Sequence, residues 1–214
     1  MNHFLYFIDR LSQWVGKAFA WCILVLCLAT TYEVIVRYVF RAPTSWAFDV
    51  SYIMYGTLFM MAGAYTLSRN GHVRGDFVYL LWPPRIQASV EIVLYFIFFF
   101  PGILAMIYAG IDYAAESVSF MPYGPTGPFG EISINSPVGV PVFPLKIILP
   151  LACFFLLLQG IAETIRCGQC IKTGAWPSRL EDVEELEKEL IRKHEEEKAA
   201  KAAQLAADGK ENAI

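Results

Sequence analysis

The 214-residue chain is poor in charge over most of its length: charged residues make up 17% of it, and more than half of the acids fall after Ser178. Before Ser178 basic and acidic residues nearly balance and form no basic stripe, which argues against nucleic acid as a partner. Histidine is scarce. His3, His72 and His194 all lie outside the long apolar runs, which excludes bis-histidine haem ligation within a helical bundle. No phosphate-binding glycine loop ending in Lys-Ser/Thr occurs, so the chain does not itself hydrolyse a nucleotide. The apolar runs do not alternate with polar residues as barrel strands do. No pair of broken helices or inverted repeat is visible, and independent carriers build their midplane sites from such helices. The five cysteines do not suggest a secreted disulfide framework. Cys22, Cys27 and Cys153 sit inside apolar runs, where a thiol behaves as a small hydrophobe.

What the chain does have is hydrophobic length. Its 56% hydrophobic content exceeds the roughly 45–50% of soluble domains. The excess falls in four runs, about residues 18–40, 46–67, 88–111 and 142–165. About 20 apolar residues in helix cross a ~30 Å hydrocarbon layer, and a lone segment in lipid must satisfy its amides as helix. The expected fold is therefore an all-α integral membrane protein with a four-helix transmembrane domain over 18–166. Pro101-Gly102 falls in the middle of the third span and predicts a kink. Pro144 and Pro150 fall in the first turns of the fourth, where proline is best tolerated.

The first 17 residues lack the pattern of a cleavable signal. Phe4, Leu5, Phe7, Ile8 and Leu11 recur at helical spacing, with Asp9, Arg10, Gln13 and Lys17 elsewhere. This predicts an amphipathic helix lying in the membrane interface, the alternative being a frayed first turn of the first span. Residues 178–214 read as a charged cytoplasmic tail, rich in helix formers, with Glu184–Lys188 and Glu189–Lys193 in the favourable order.

Orientation follows from the arginines and lysines. Arg69, Arg74 and Arg85, with His72, lie between the second and third spans. Arg166, Lys172 and Arg179 follow the fourth, while residues 112–141 carry neither Lys nor Arg. Positive residues mark the cytoplasmic side, so both termini are expected in the cytoplasm and the 112–141 loop in the periplasm of a bacterial inner-membrane protein. Arg37 and Arg41 go against this trend. The 112–141 loop is rich in glycine and proline yet carries Phe120, Met121, Tyr123, Phe129, Ile132 and Ile134. A loop this long is packed or functional more often than loose. A plug resting on its own helices and a docking surface for another protein remain equal readings.

Three clusters carry potential chemistry. Glu33 and Arg37, four apart, share a helix face, and Asp49 at the start of the next span is expected within reach of Arg37. Charges at membrane depth are costly and seek partners, so these residues are read as a structural or subunit-interface network. His72, Arg74 and Asp76 follow the second span. Arg74 serves as a topology signal, and Asp76 is expected to cap the segment that follows. Cys167-Gly-Gln-Cys170 is a CxxC motif, which raises a thiol or quinone oxidoreductase as the alternative function. Its expected cytoplasmic position, where thiols stay reduced, speaks against that. No cofactor, metal or catalytic residue is expected.

Glu33-x-x-x-Arg37-Tyr38-Val39-Phe40, then Pro43, Trp46, an acid at 49, Gly63-Ala64 and His72-Val73-Arg74-Gly75-Asp76 form a combination that resembles the small membrane subunit of TRAP (tripartite ATP-independent periplasmic) transporters, the DctQ type. The order and spacing agree from about residue 14 to 110. Phe155-Leu156-Leu157-Leu158-Gln159-Gly160 in the fourth span looks similar too. Asp49 stands where that family more often has Glu, and the 112–141 loop is longer than in its shortest members. The resemblance implies a division of labour. A large multi-helix permease subunit holds the substrate and ion sites, and a periplasmic solute-binding protein delivers the solute, usually an organic acid. The small subunit braces the large one in the lipid bilayer.

Overall fold

The structure, a computed structural model, describes residues 2–71, 79, 81–120, 130–133, 138–177, 179, 192 and 193. The described chain is helical: α1 (Asn2–Ala20), α2 (Cys22–Val39), α3 (Ala47–Ser68), α4 (Pro84–Leu94), a π-helical turn (Tyr95–Phe99), α5 (Phe100–Ser119) and α6 (Phe143–Thr173). Among the described residues three helical runs are long and apolar enough to cross a membrane: His3–Val39, Pro84–Ser119 and Phe143–Thr173. α3 has 22 residues, about 33 Å at 1.5 Å per residue, but with Ser51, Thr57 and three tyrosines along it no 18-residue stretch is as apolar as those of the three runs.

The amino-terminal segment is helical, but it does not stand apart from the bundle. Trp21 keeps helical torsions (φ −61°, ψ −21°), so α1 runs on into α2 without a corner. α1 packs on α3 and α6, burying Leu5 and Ile8 against Ala162, and Val15 against Met61 and Ala152. The expected single apolar face divides in two. Leu5 and Ile8 turn inward, while Phe4, Phe7 and Trp14 stay exposed. The polar residues decide this arrangement, because Asp9 and Ser12 have partners on α6 and are buried with it.

α6 is the spine, packing against α1, α3, α4 and α5. It extends past the expected boundary at 165 and ends where Gly174 turns left-handed (φ 81°), its N–H donating to the Cys170 carbonyl at 2.7 Å. Glycine adopts this cap without a Cβ clash. The proline of the third run is accommodated by the π turn just before it. Pro101 has no N–H to offer, and the Phe100 N–H reaches back five residues to the Tyr95 carbonyl. Such wide turns are a known way to insert a residue into a helix. The Phe99 ring lies where a side chain at position 160 of α6 would be, so any residue larger than Gly160 would have to push that ring aside.

Much of the apolar surface faces outward, including Leu28, Phe59, Phe98 and Tyr108. In water exposed apolar surface costs about 25 cal/mol per Å2, and patches this extensive mark a membrane or partner surface.

Candidate functional site

The structure places polar side chains at both ends of the bundle. At the end where α2 meets α3, the Glu33 carboxylate gathers three groups. Arg37 donates from Nε at 2.9 Å and from Nη2 at 2.6 Å, both to Oε1. Thr44 donates its backbone N–H to Oε2 at 3.0 Å and its hydroxyl to the same oxygen. The chain can close this turn because Arg41 adopts a left-handed conformation (φ 52°) and the Ala42 N–H bonds the Val36 carbonyl at 3.2 Å. The Trp46 ring stacks on Tyr32 with centroids 5.8 Å apart. A cavity of about 350 Å3 opens beside Glu33, Arg37, Tyr38, Phe48 and Ser51. The Arg37 side chain remains 55% exposed, against 13% for Glu33.

Asp49 does not join this group. No hydrogen bond or ion pair connects it to Arg37 among the described residues; it is buried, and one carboxylate oxygen has no hydrogen-bond partner there. Thr44, which lies on the connecting turn, takes the place expected of Asp49. His72, Arg74 and Asp76 lie outside the described residues.

The opposite end holds a cluster that the sequence reading did not assemble. Asp9, Gln159, Glu163 and Arg166 are all essentially buried. Gln159 donates from Nε2 to Asp9 Oδ1 at 2.9 Å and accepts from the Ser12 hydroxyl at 3.0 Å. Arg166 donates to Glu163 Oε1 at 2.5 Å and to Asp9 Oδ2. Arg179, beyond the end of α6, turns back to donate to Glu163 Oε2 at 2.8 Å and to the Leu67 carbonyl at 3.5 Å. Two carboxylates and two guanidinium groups make the cluster neutral. Each charge is hydrogen-bonded, which burial demands. The cluster ties α1, α3, α6 and the segment after α6 together. One signal was available in the sequence: Gln159, Glu163 and Arg166 are spaced to share one helix face.

Cys167 and Cys170 are buried on the same helix, packed on Ala88. The Cys167 thiol lies 3.3 Å from Glu91 Oε2, and that of Cys170 lies 3.5 Å from the Pro84 carbonyl. Thiol exchange needs an accessible thiolate, which neither offers, so the oxidoreductase alternative finds no support in this geometry. Among the described residues no group of three or more His, Cys, Asp or Glu side chains is arranged to hold a metal ion.

The described stem of the 112–141 loop is tied to the bundle. The Glu131 N–H donates to the Ser117 carbonyl at 2.9 Å, and Val142 donates to the Glu131 carbonyl at 2.9 Å. Its carboxylate pairs with Lys146, whose ammonium sits 3.9 Å from the centroid of the Tyr113 ring. Lys146 holds the Glu131 carboxyl below the usual carboxylate range. A depressed acid stabilises the fold above its unfolded pKa and loses that contribution as pH falls through its folded one. The stem is therefore expected to loosen only below about pH 4. Limited proteolysis of the loop across an acid series checks this, and Glu131→Gln should make cleavage independent of pH in that range.

The model of the DctQ component of tripartite ATP-independent periplasmic transporters matches residues 26–169, about two-thirds of the chain. The match takes in Glu33, Arg37, Trp46 and Asp49, together with Gln159, Glu163 and Arg166. Asp9 and Arg179 fall outside it. No curated protein matches the chain. A family match of this extent, on a helical chain with membrane-length apolar helices, places the protein: it belongs to the DctQ family, the membrane components of tripartite ATP-independent periplasmic transporters.

Proposed function

We propose that this chain crosses the bacterial inner membrane four times with both termini cytoplasmic. There it braces the large permease subunit during ion-coupled uptake of an organic acid delivered by a periplasmic binding protein. One observation carries the reading. The buried charges of the Asp9–Arg166 cluster are paired within the bundle, while the outer faces of the helices are left apolar. Such a body suits a brace in lipid better than a path for a solute. α3 is the fourth span in this reading. Its length suffices, and its polar residues Asp49 and Thr57 are buried. Arg69, Arg85, Lys172 and Arg179 stand at the end of the bundle where α1 begins, which supports placing that end in the cytoplasm.

In this reading Glu33, Arg37 and Trp46 face the large subunit near the periplasmic surface, and the 112–141 loop helps to dock the binding protein. His72, Arg74 and Asp76 belong to the cytoplasmic loop, where Arg74 fixes orientation. The bracing role is tested by the thermal stability of the large permease subunit in mild detergent. With this chain bound its melting temperature should rise by several degrees; no change would refute a brace. Arg37→Ala separates an interface from an internal role. An exposed pair is worth about 0–1 kcal/mol to the bundle, whereas truncating an interface anchor costs about 2 kcal/mol or more. The variant is expected to fold normally and to lose large-subunit binding in a titration. Normal assembly together with normal uptake would reject the interface role.

A further inference from the structure

The corner where α2 meets α3 holds a notch of about 350 Å3. Thr30, Glu33, Val34 and Arg37 line it from α2, at the spacing of a single helix face. Phe48 and Ser51 line it from α3. Val34 and Phe48 remain at least half exposed. One turn of helix with its side chains fills roughly 400–600 Å3, so the notch takes the side chains of a neighbouring helix rather than its backbone.

The polar groups of the notch are unequally engaged. Both oxygens of Glu33 are occupied, Oε1 by Arg37 and Oε2 by Thr44. Arg37 uses Nε and Nη2 for this contact, and among the described residues its Nη1 makes no hydrogen bond. The Nη1–Nη2 edge is therefore open, on a side chain that is 55% exposed. The other charges of this corner do not fill it. Asp49 is buried and makes no bond to Arg37, and Arg41 is exposed and of the same sign as Arg37. Thr30 precedes Arg37 by two helical turns, roughly 10 Å along α2. There Thr30 gives its hydroxyl hydrogen to the Leu26 carbonyl at 2.7 Å, so Ser51 is the donor in their 3.5 Å contact. The lone pairs of Ser51 stay open to a further donor.

These two levels favour a protein cover over a lipid. A guanidinium edge matches a carboxylate or a phosphate, each met by two parallel N–H groups. A phospholipid would bring its phosphate to Arg37 but only an acyl chain to Ser51. A helix can bring an acid to the first level and a hydrogen-bond donor to the second, and polar side chains of this kind join helices in membranes. Covering the notch strips water from the open edge of Arg37, and a buried guanidinium left without an acceptor is strongly unfavourable. Resting on the bracing role proposed above, we propose that a transmembrane helix of the large permease subunit seats on this notch and sets an Asp or Glu carboxylate against the Nη1–Nη2 edge of Arg37.

Carbodiimide cross-linking of the assembled complex tests this. The full-length double variant Glu33→Gln with Arg37→Lys places a primary amine at position 37 and removes the acid beside it. Co-purified with the large subunit and treated with carbodiimide, the introduced amine should form an amide with one Asp or Glu of that subunit, identified by peptide mass spectrometry. A double variant that assembles but links to no acid of the large subunit overturns the carboxylate and leaves the bracing role standing. Failure of the unaltered chain to assemble with the permease removes the bracing role itself. Titrations of single variants against the large subunit decide should the double variant not assemble. Arg37→Gln should weaken binding about thirtyfold, the scale of an interface anchor, and Arg37→Lys, which keeps the charge, only about fivefold. Equal losses would mean that no opposite charge meets Arg37 and would overturn the proposal. So would an anionic phospholipid that the unaltered protein retains and Arg37→Gln releases while large-subunit binding is unchanged.

Discussion

Arg166→Ala is expected to destabilise the bundle by about 3–5 kcal/mol, the cost of leaving buried carboxylates without their counter-charge. In the folded chain the Arg166 side chain is 1% exposed, with Asp9 on one side and Glu163 on the other. Without it Arg179 still covers Glu163, but Asp9 keeps only the Gln159 amide. α1 should therefore detach from α6 before the remaining helices separate. Asp9→Ala should cost less, because Arg166 keeps its bond to Glu163 and the cluster is left with one excess positive charge rather than a carboxylate without a counter-charge. The double variant Asp9→Ala with Arg166→Ala should cost less than the two single changes together, because removing both leaves no orphaned charge between them. Denaturant titration in mild detergent, read by tryptophan fluorescence, measures all of these. Additive losses would mean that the two residues act separately and that the cluster does not hold α1.

Gly16→Ala is the second large effect. A Cβ at position 16 would lie 2.5 Å from the Tyr65 Cβ and 2.7 Å from its Cγ. The Tyr65 Cβ is fixed by the α3 backbone and no side-chain rotation moves it, so α1 and α3 must move apart. Overpacking of this kind costs about 1–3 kcal/mol, and close helix approach through small residues is a main source of packing in membranes. Gly102→Ala provides the control. Nothing lies within 4 Å of a Cβ there, and alanine in a helix interior is favoured over glycine by about 0.5–1 kcal/mol. Both variants change a single glycine in a helix of the bundle, yet the first should lower the melting temperature and the second should raise it.

These two sites mark the limit of what the sequence discloses. Helices over the four apolar runs are legible because lipid leaves a spanning segment no other way to satisfy its amides. The expected 46–67 segment falls on α3, Ala47–Ser68, nearly residue for residue. Helix ends depend on more distant partners. α6 runs on to Thr173 because Glu163 and Arg166, which look like the end of an apolar run, are neutralised by Asp9 and Arg179. Asp9 and Arg166 are separated by 157 positions, and no local pattern pairs them. The Glu33–Arg37 bond was legible from its four-residue spacing. The Thr44 contribution was not, because it depends on the left-handed Arg41 that turns the chain back. The π turn follows from Pro101 and from the space at Gly160 together, and only the first is visible locally.

The central claim, that this chain is the bracing component of a larger transporter, is tested most directly by a mild-detergent pull-down of the tagged full-length protein with its partners identified by mass. A large polytopic permease subunit should co-purify in a fixed ratio. A chain that purifies alone, while the permease and binding protein assemble and transport without it, would contradict the account.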